Sequence, residues 1–135
     1  MDIKVRNYCK EDLEGVNKVL YESFSCSKED FSCNDFFEIV ALVDGKIGGY
    51  LLLTKVFNPI KKRYYFLVDY VCVLSDYRGH GIGDLMLLYA EEVAREEKGM
   101  YLQLTCSHFR KAAHKLYERQ GYKKRDSDIY RKELV

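Results

Sequence analysis

The sequence is poor in the features that would mark it for nucleic acid, a membrane or the cell exterior. It has no charge excess: Lys and Arg number 22 against 21 Asp and Glu, a net of +1. The basic field that a nucleic-acid or anionic-membrane binder needs is therefore missing. It has no long apolar run at its start. Met1-Asp2-Ile3-Lys4-Val5-Arg6 alternates charged with apolar residues, which reads as a first strand and not as a signal peptide or membrane span. Its five cysteines, Cys9, Cys26, Cys33, Cys72 and Cys106, form an odd set with no Cys-x-x-Cys. That pattern matches neither a zinc knuckle nor a secreted disulfide scaffold, and it suits reduced thiols in the cytoplasm.

What is present suffices for a core. Of 135 residues 47% are apolar, enough to close one compact domain over residues 1–135 without disulfides or metal. Leu13, Val16, Leu20 and Phe24 recur at helical spacing, with Glu11, Asp12, Asn17, Lys18 and Glu22 on the other face, predicting an amphipathic first helix. Residues 25–35 are polar and weakly periodic, a loop or a short helix. Ile39 to Val43 and Ile47 to Val56 are apolar runs joined by Asp44-Gly45, a dipeptide suited to a tight hairpin turn. The lone proline, in Asn58-Pro59, makes a second turn, and Tyr64 to Leu74 resumes as an aromatic and β-branched strand.

Beyond Gly81 the period changes to that of a helix. Ile82, Leu85, Met86, Tyr89 and Val93 share a face, and Gly99 stops it. A strand over Tyr101 to Cys106 follows. A last helix begins near Arg110, with Ala113, Leu116, Tyr117 and Gln120 on one side and Gly121 as its break. Tyr122 to Lys124 and Ile129 to Lys132 look like a closing hairpin. This order of elements predicts a mixed α/β sheet with helices packed on it.

The stretch that carries chemistry is Val71-Cys72-Val73-Leu74-Ser75-Asp76-Tyr77-Arg78-Gly79-His80-Gly81-Ile82-Gly83. A strand runs into three alternate glycines and the start of a helix. Successive free N–H groups there, the helix dipole behind them and Arg78 beside them suit a diphosphate. Two other phosphate motifs fail. There is no Gly-x-x-x-x-Gly-Lys-Ser/Thr, and the dinucleotide fingerprint breaks because Asp84 stands where its last glycine would.

Arg78-Gly79-His80-Gly81-Ile82-Gly83 resembles the Arg/Gln-x-x-Gly-x-Gly/Ala coenzyme A motif of the GNAT superfamily of N-acetyltransferases. Ala113-His114-Lys115-Leu116-Tyr117-Glu118-Arg119-Gln120-Gly121-Tyr122 is similar to that family's Ala-x-x-x-Tyr-x-x-x-Gly-Phe/Tyr helix. Element order corresponds from end to end. The resemblance implies a mostly antiparallel sheet of about seven strands, flanked by about four helices, with the fourth and fifth strands splayed. It implies acetyl-CoA as cosubstrate and direct transfer to an amine of a small molecule or peptide. Main-chain groups of Val71, Cys72 and Val73 would hold the pantetheine arm and polarise the carbonyl, and Arg78, Gly79, His80, Gly81, Ile82, Gly83 and Asp84 would form the phosphate loop. A homodimer is a further implication.

The transfer needs a neutral amine, donors for an oxyanion and a proton for the leaving thiolate. Tyr117 sits where the family's tyrosine serves as that acid. A phenol with pKa of about 10 stays protonated at neutral pH and can donate to a thiolate of about 8.5; the plain alternative is packing on Leu116 and Ala113. Asp69 is the only carboxylate from Tyr64 to Val73, at a position where many relatives carry glutamate. It is either the base, directly or through water, or one half of an ion pair. Arg110 replaces a frequent asparagine and either reaches a cofactor phosphate or is solvated. Cys106, His108 and His114 lack zinc spacing, so no metal is expected. A catalytically silent acyl-CoA-binding module and a plain interaction domain are the competing functions.

Overall fold

The computed structural model describes all residues, Met1–Val135. In chain order the elements are β1 (Ile3–Asn7), α1 (Leu13–Phe24), β2 (Phe36–Val43), β3 (Lys46–Asn58), β4 (Arg63–Val73), α2 (Ile82–Glu96), β5 (Leu102–Gln103) and α3 (Lys111–Arg119), with 3-10 turns at Lys10–Asp12 and Ser75–Tyr77. One five-stranded sheet runs β1-β2-β3-β4-β5. Its pairs are antiparallel except β4 with β5, which is parallel. Asp44 and Gly45 both have positive φ, 49° and 83°, the backbone of the hairpin turn that their sequence predicts. At the β3–β4 turn, Asn58 Oδ1 accepts from the N–H groups of Ile60 at 2.9 Å and Lys61 at 3.1 Å.

The sheet is a middle layer. Strand alternation sends Ile39, Ala41, Val43, Leu51, Leu53, Phe66 and Val68 to one face, against Ile82, Met86, Leu87 and Ala90 of α2 and Tyr117 of α3. Val40, Tyr50 and Cys72 point to the other face, against Val16, Val19 and Leu20 of α1. Within β4 the parity flips. Phe66 and Val68 face α2, yet Cys72 faces α1. The cause is a β-bulge: Asp69 opposes Leu52 and Cys72 opposes Tyr50, so Tyr70 and Val71 share the single partner Leu51. Tyr70 takes the left-handed φ of 53° that the extra residue requires.

Four expectations are corrected. The sheet has five strands, not about seven, and there are three α-helices, not about four. The closing hairpin is absent: Tyr122 donates its N–H to Tyr117 O, finishing α3. Beyond it, Lys123 to Asp128 are charged or polar, and Ile129 and Tyr130 are exposed. The strand expected over Tyr101 to Cys106 narrows to Leu102–Gln103. The buried stripe of α2 is Ile82, Met86, Leu87, Ala90 and Ala94; Leu85 is 41% exposed. The i, i+4 row ending in two alanines lets the helix lie close on the sheet.

Candidate active site

β4 ends at Val73, a 3-10 turn covers Ser75–Tyr77, and α2 starts at Ile82. Between them Gly79 and Gly81 have φ of 83° and 79°, and a Cβ added at either would meet nothing within 4 Å. Glycine is thus demanded there by the backbone, on an open surface. The N–H groups of Gly79, His80, Gly81, Ile82 and Gly83 donate to no carbonyl of the chain. Five neighbouring donors at the positive end of a 15-residue helix make an anion receptor. Gly83 has a second use, since a Cβ there would stand 3.0 Å from Leu116 Cδ2, so its absence lets α3 pack on α2.

The side chains around this turn are more committed than the sequence suggests. Arg78 Nε donates to Val73 O at 3.0 Å, and its Nη2 lies 3.5 Å from Glu22 Oε1. Asp84 accepts from Arg119 Nε and Nη2, both at 3.0 Å, and from Gln120 Nε2 at 2.7 Å. The Arg119 hydrogen bonds, then those of Gln120, hold its carboxyl below the usual range against the opposing effect of burial. What Asp84 can offer a ligand is its main chain. His80 is exposed on the loop.

The second part of the site is a seam. β4 pairs with β5 only at Phe66–Leu102 and Leu67–Gln103. Val68 to Val73 therefore have β3 on one side and no strand on the other, leaving main-chain donors and acceptors open. A cavity of about 110 Å³ occupies the start of the split, lined by Leu67, Val68, Asp69, Gln103, Leu104 and Thr105. Asp69 is exposed and, opposite Leu52, stands on the α1 face; it takes part in no ion pair of the chain. Val71 and Val73 are half-buried toward α2. Cys72 is buried toward α1, and burial pushes its thiol up to about 12, so it is a small hydrophobe whose backbone alone is available.

Tyr117 stands on the other face, its ring buried and edge-on to Tyr122 at 5.9 Å. Burial, then Cys106, raises its pKa, and Arg110 partly opposes this. The phenol is protonated at neutral pH. Tyr122 has its hydroxyl sealed without a partner, whereas that of Tyr117 is not sealed. Arg110, the exposed N-cap of α3, exerts its charge on both Tyr117 and Cys72. Cys106 packs in the same core as Tyr117, while Asp69 lies across the sheet from Tyr117 with the open seam between the faces. No group of three or more His, Cys, Asp or Glu side chains is arranged to hold a metal. His114 Nε2 is 2.8 Å from Ser107 O.

Sequence reasoning misses Glu22, Ser75, the Tyr70 bulge and the polar network over the α1 face. In that network Asn17 brackets the backbone of Lys28, accepting its N–H at 2.7 Å and donating to its carbonyl at 3.2 Å. Tyr8 donates to Asp30 at 3.0 Å and Tyr50 to the buried Glu38 at 2.7 Å. Lys28 Nζ stands 3.1 Å from Glu38 Oε1 off the hydrogen-bond direction and 4.0 Å over the Tyr8 ring, so its contacts are ionic and cation–π.

The sheet thus opens beside a bulged strand, with a turn of free amides at the mouth of the opening. Residues 7–122 match the Acetyltransferase (GNAT) family, and the chain belongs to it. It is 26% identical over 130 residues, 89% of this chain and 84% of the relative, to the aminoalkylphosphonate N-acetyltransferase of Salmonella typhimurium. Its fold is similar to that of the ribosomal-protein-alanine N-acetyltransferase of Brucella melitensis biovar Abortus, with a TM-score of 0.84, 19% identity and coverage of 99% and 100% of the two chains. An aminoglycoside acetyltransferase from an uncultured soil metagenomic sample shares the fold at a TM-score of 0.85, with 16% identity and coverage of 100% and 99%.

Proposed function

We propose that the chain, as one domain over residues 1–135, moves acetyl from acetyl-CoA directly to a primary amine of a small molecule or peptide in a ternary complex. The observation that carries this is the run of free N–H groups from Gly79 to Gly83 beside the open edge of β4. In this reading those amides, with that of Asp84, hold the diphosphate, and Arg78 and Arg110 supply positive charge beside it. The main chain of Val71 to Val73 continues the ladder onto the pantetheine arm and leaves a donor for the carbonyl oxygen as it becomes an oxyanion. The amine nitrogen attacks the thioester carbon and the carbon–sulfur bond breaks. Tyr117 gives its hydroxyl proton to the departing sulfur, and the nitrogen's surplus proton goes to Asp69, directly or through water. The five free cysteines suit a cytoplasmic setting.

The test is thiol release from acetyl-CoA with a panel of amines, in which an aminoalkylphosphonate has a place because of the Salmonella relative. Turnover on at least one amine is expected, with Tyr117→Phe slowing kcat roughly 10²-fold and leaving KM for acetyl-CoA nearly unchanged. Tight coenzyme A binding without product from any amine would leave a binding module in place of an enzyme.

A further inference from the structure

We infer that Glu22, in the last turn of α1, is the positioning residue of the phosphate turn, holding Ser75 and Arg78 in the geometry that receives the diphosphate. The inference rests on the acetyl-CoA reading above and assigns a part of the site that no motif marks.

A carboxylate in a helix's last turn faces the negative end of the helix dipole, and no basic residue of α1 lies there to offset it. The compensation comes from 53 residues away. Glu22 Oε1 accepts the Ser75 N–H at 2.7 Å, Oε2 accepts the Ser75 hydroxyl at 3.0 Å, and Arg78 Nη2 stands 3.5 Å from Oε1. The Ser75 N–H opens the 3-10 turn and would otherwise be an orphan donor. Arg78, bound to Val73 O through Nε and paired with Glu22 through Nη2, is fixed flat across the exit of β4 with Nη1 left over. Glu22 thus settles where the turn begins, and the glycine amides follow from that point. Two residues on, Phe24 meets the ring of Tyr70 edge-on at 5.1 Å, so this end of α1 touches both the phosphate turn and the bulge beside the seam.

The alternative predicts the opposite sign. If Glu22 were only a surface carboxylate near an anion site, removing it would tighten coenzyme A binding by relieving repulsion. If it positions the turn, removing it weakens binding. Coenzyme A is titrated calorimetrically into the full-length wild type, Glu22→Ala, Glu22→Gln and Ser75→Ala, with thermal melts of each unliganded protein. Glu22→Ala is expected to bind about tenfold more weakly. Glu22→Gln falls between, because its amide oxygen still accepts from Ser75 while the charge opposite Arg78 is gone. KM for acetyl-CoA rises in the same order and kcat stays within about twofold. Should Glu22→Ala melt before it can be titrated, Glu22→Gln and Ser75→Ala carry the test with smaller losses. Unchanged or tighter binding in the variants overturns the inference; a wild type that binds no coenzyme A overturns the acetyl-CoA reading along with it.

Discussion

Asp12 is buried, at 7% exposure, and stays charged because four donors meet it: Arg6 through Nη1 at 2.7 Å and Nη2 at 3.0 Å, the Cys9 N–H at 2.9 Å and the Cys9 thiol at 3.4 Å. The Arg6 hydrogen bonds, working against burial and helped by Cys9, hold its carboxyl below the usual carboxylate range. Asp12→Ala leaves Arg6 and the Cys9 amide without their acceptor and is expected to destabilise the fold by about 2 kcal/mol, read from urea unfolding. A depressed native pKa means that the unfolded chain takes up the proton first as pH falls. The stability Asp12 adds is therefore complete above the ordinary carboxylate value near 4 and is lost as pH drops through the lower native value. Wild type and Asp12→Ala should accordingly differ most at neutral pH and converge in acid. From sequence, Asp12 belongs to the polar face of α1, because spacing assigns a residue to a face and cannot show that Arg6 of the neighbouring strand reaches under it. Glycines 79 and 81 are legible for the converse reason. Their positive φ is a local demand, and only one residue type meets it at no steric cost.

At the scale of elements, the junction from β4 to α2 is where a single backbone angle carries the most consequence. Gly81→Ala adds a Cβ into open space but forces a φ of 79°, which costs about 1 kcal/mol. The variant is expected to fold, to unfold at correspondingly lower urea, and to bind coenzyme A more weakly as the turn relaxes. A melt and a titration on the same sample read both effects. Elements with a strong period or unambiguous turn chemistry, such as α1, the Asp44-Gly45 hairpin and the helix bearing Tyr117, are legible in the sequence. The split between β4 and β5 is not, and enters only through family resemblance. It begins beyond Leu67, and the extra residue at Tyr70 farther along β4 is no more visible, because tyrosine is no signature of left-handed backbone. Glu22 escapes notice likewise, because its partners Ser75 and Arg78 lie more than 50 residues away.

At the scale of the whole molecule, two cores lie back to back on shared strands: a larger one under α2 and α3, and a smaller one under α1. β2, β3 and β4 supply side chains to both, so α1 cannot melt away without baring the back of the sheet that supports the other core. Far-UV circular dichroism and tyrosine fluorescence are expected to trace one coincident unfolding transition; two separated midpoints would show the α1 face to be independent. The same shared strands give the Tyr70 bulge molecule-wide reach. It puts β4's two halves out of phase, so that even-numbered side chains look toward α2 before it and toward α1 after it. A regular ladder through the same residues would set Tyr70 opposite Leu51 and Val71 opposite Tyr50, rotating everything downstream by half a turn. Cys72 would turn to the α2 face and Val73 to the α1 face, and the glycine turn would leave the sheet from its opposite side.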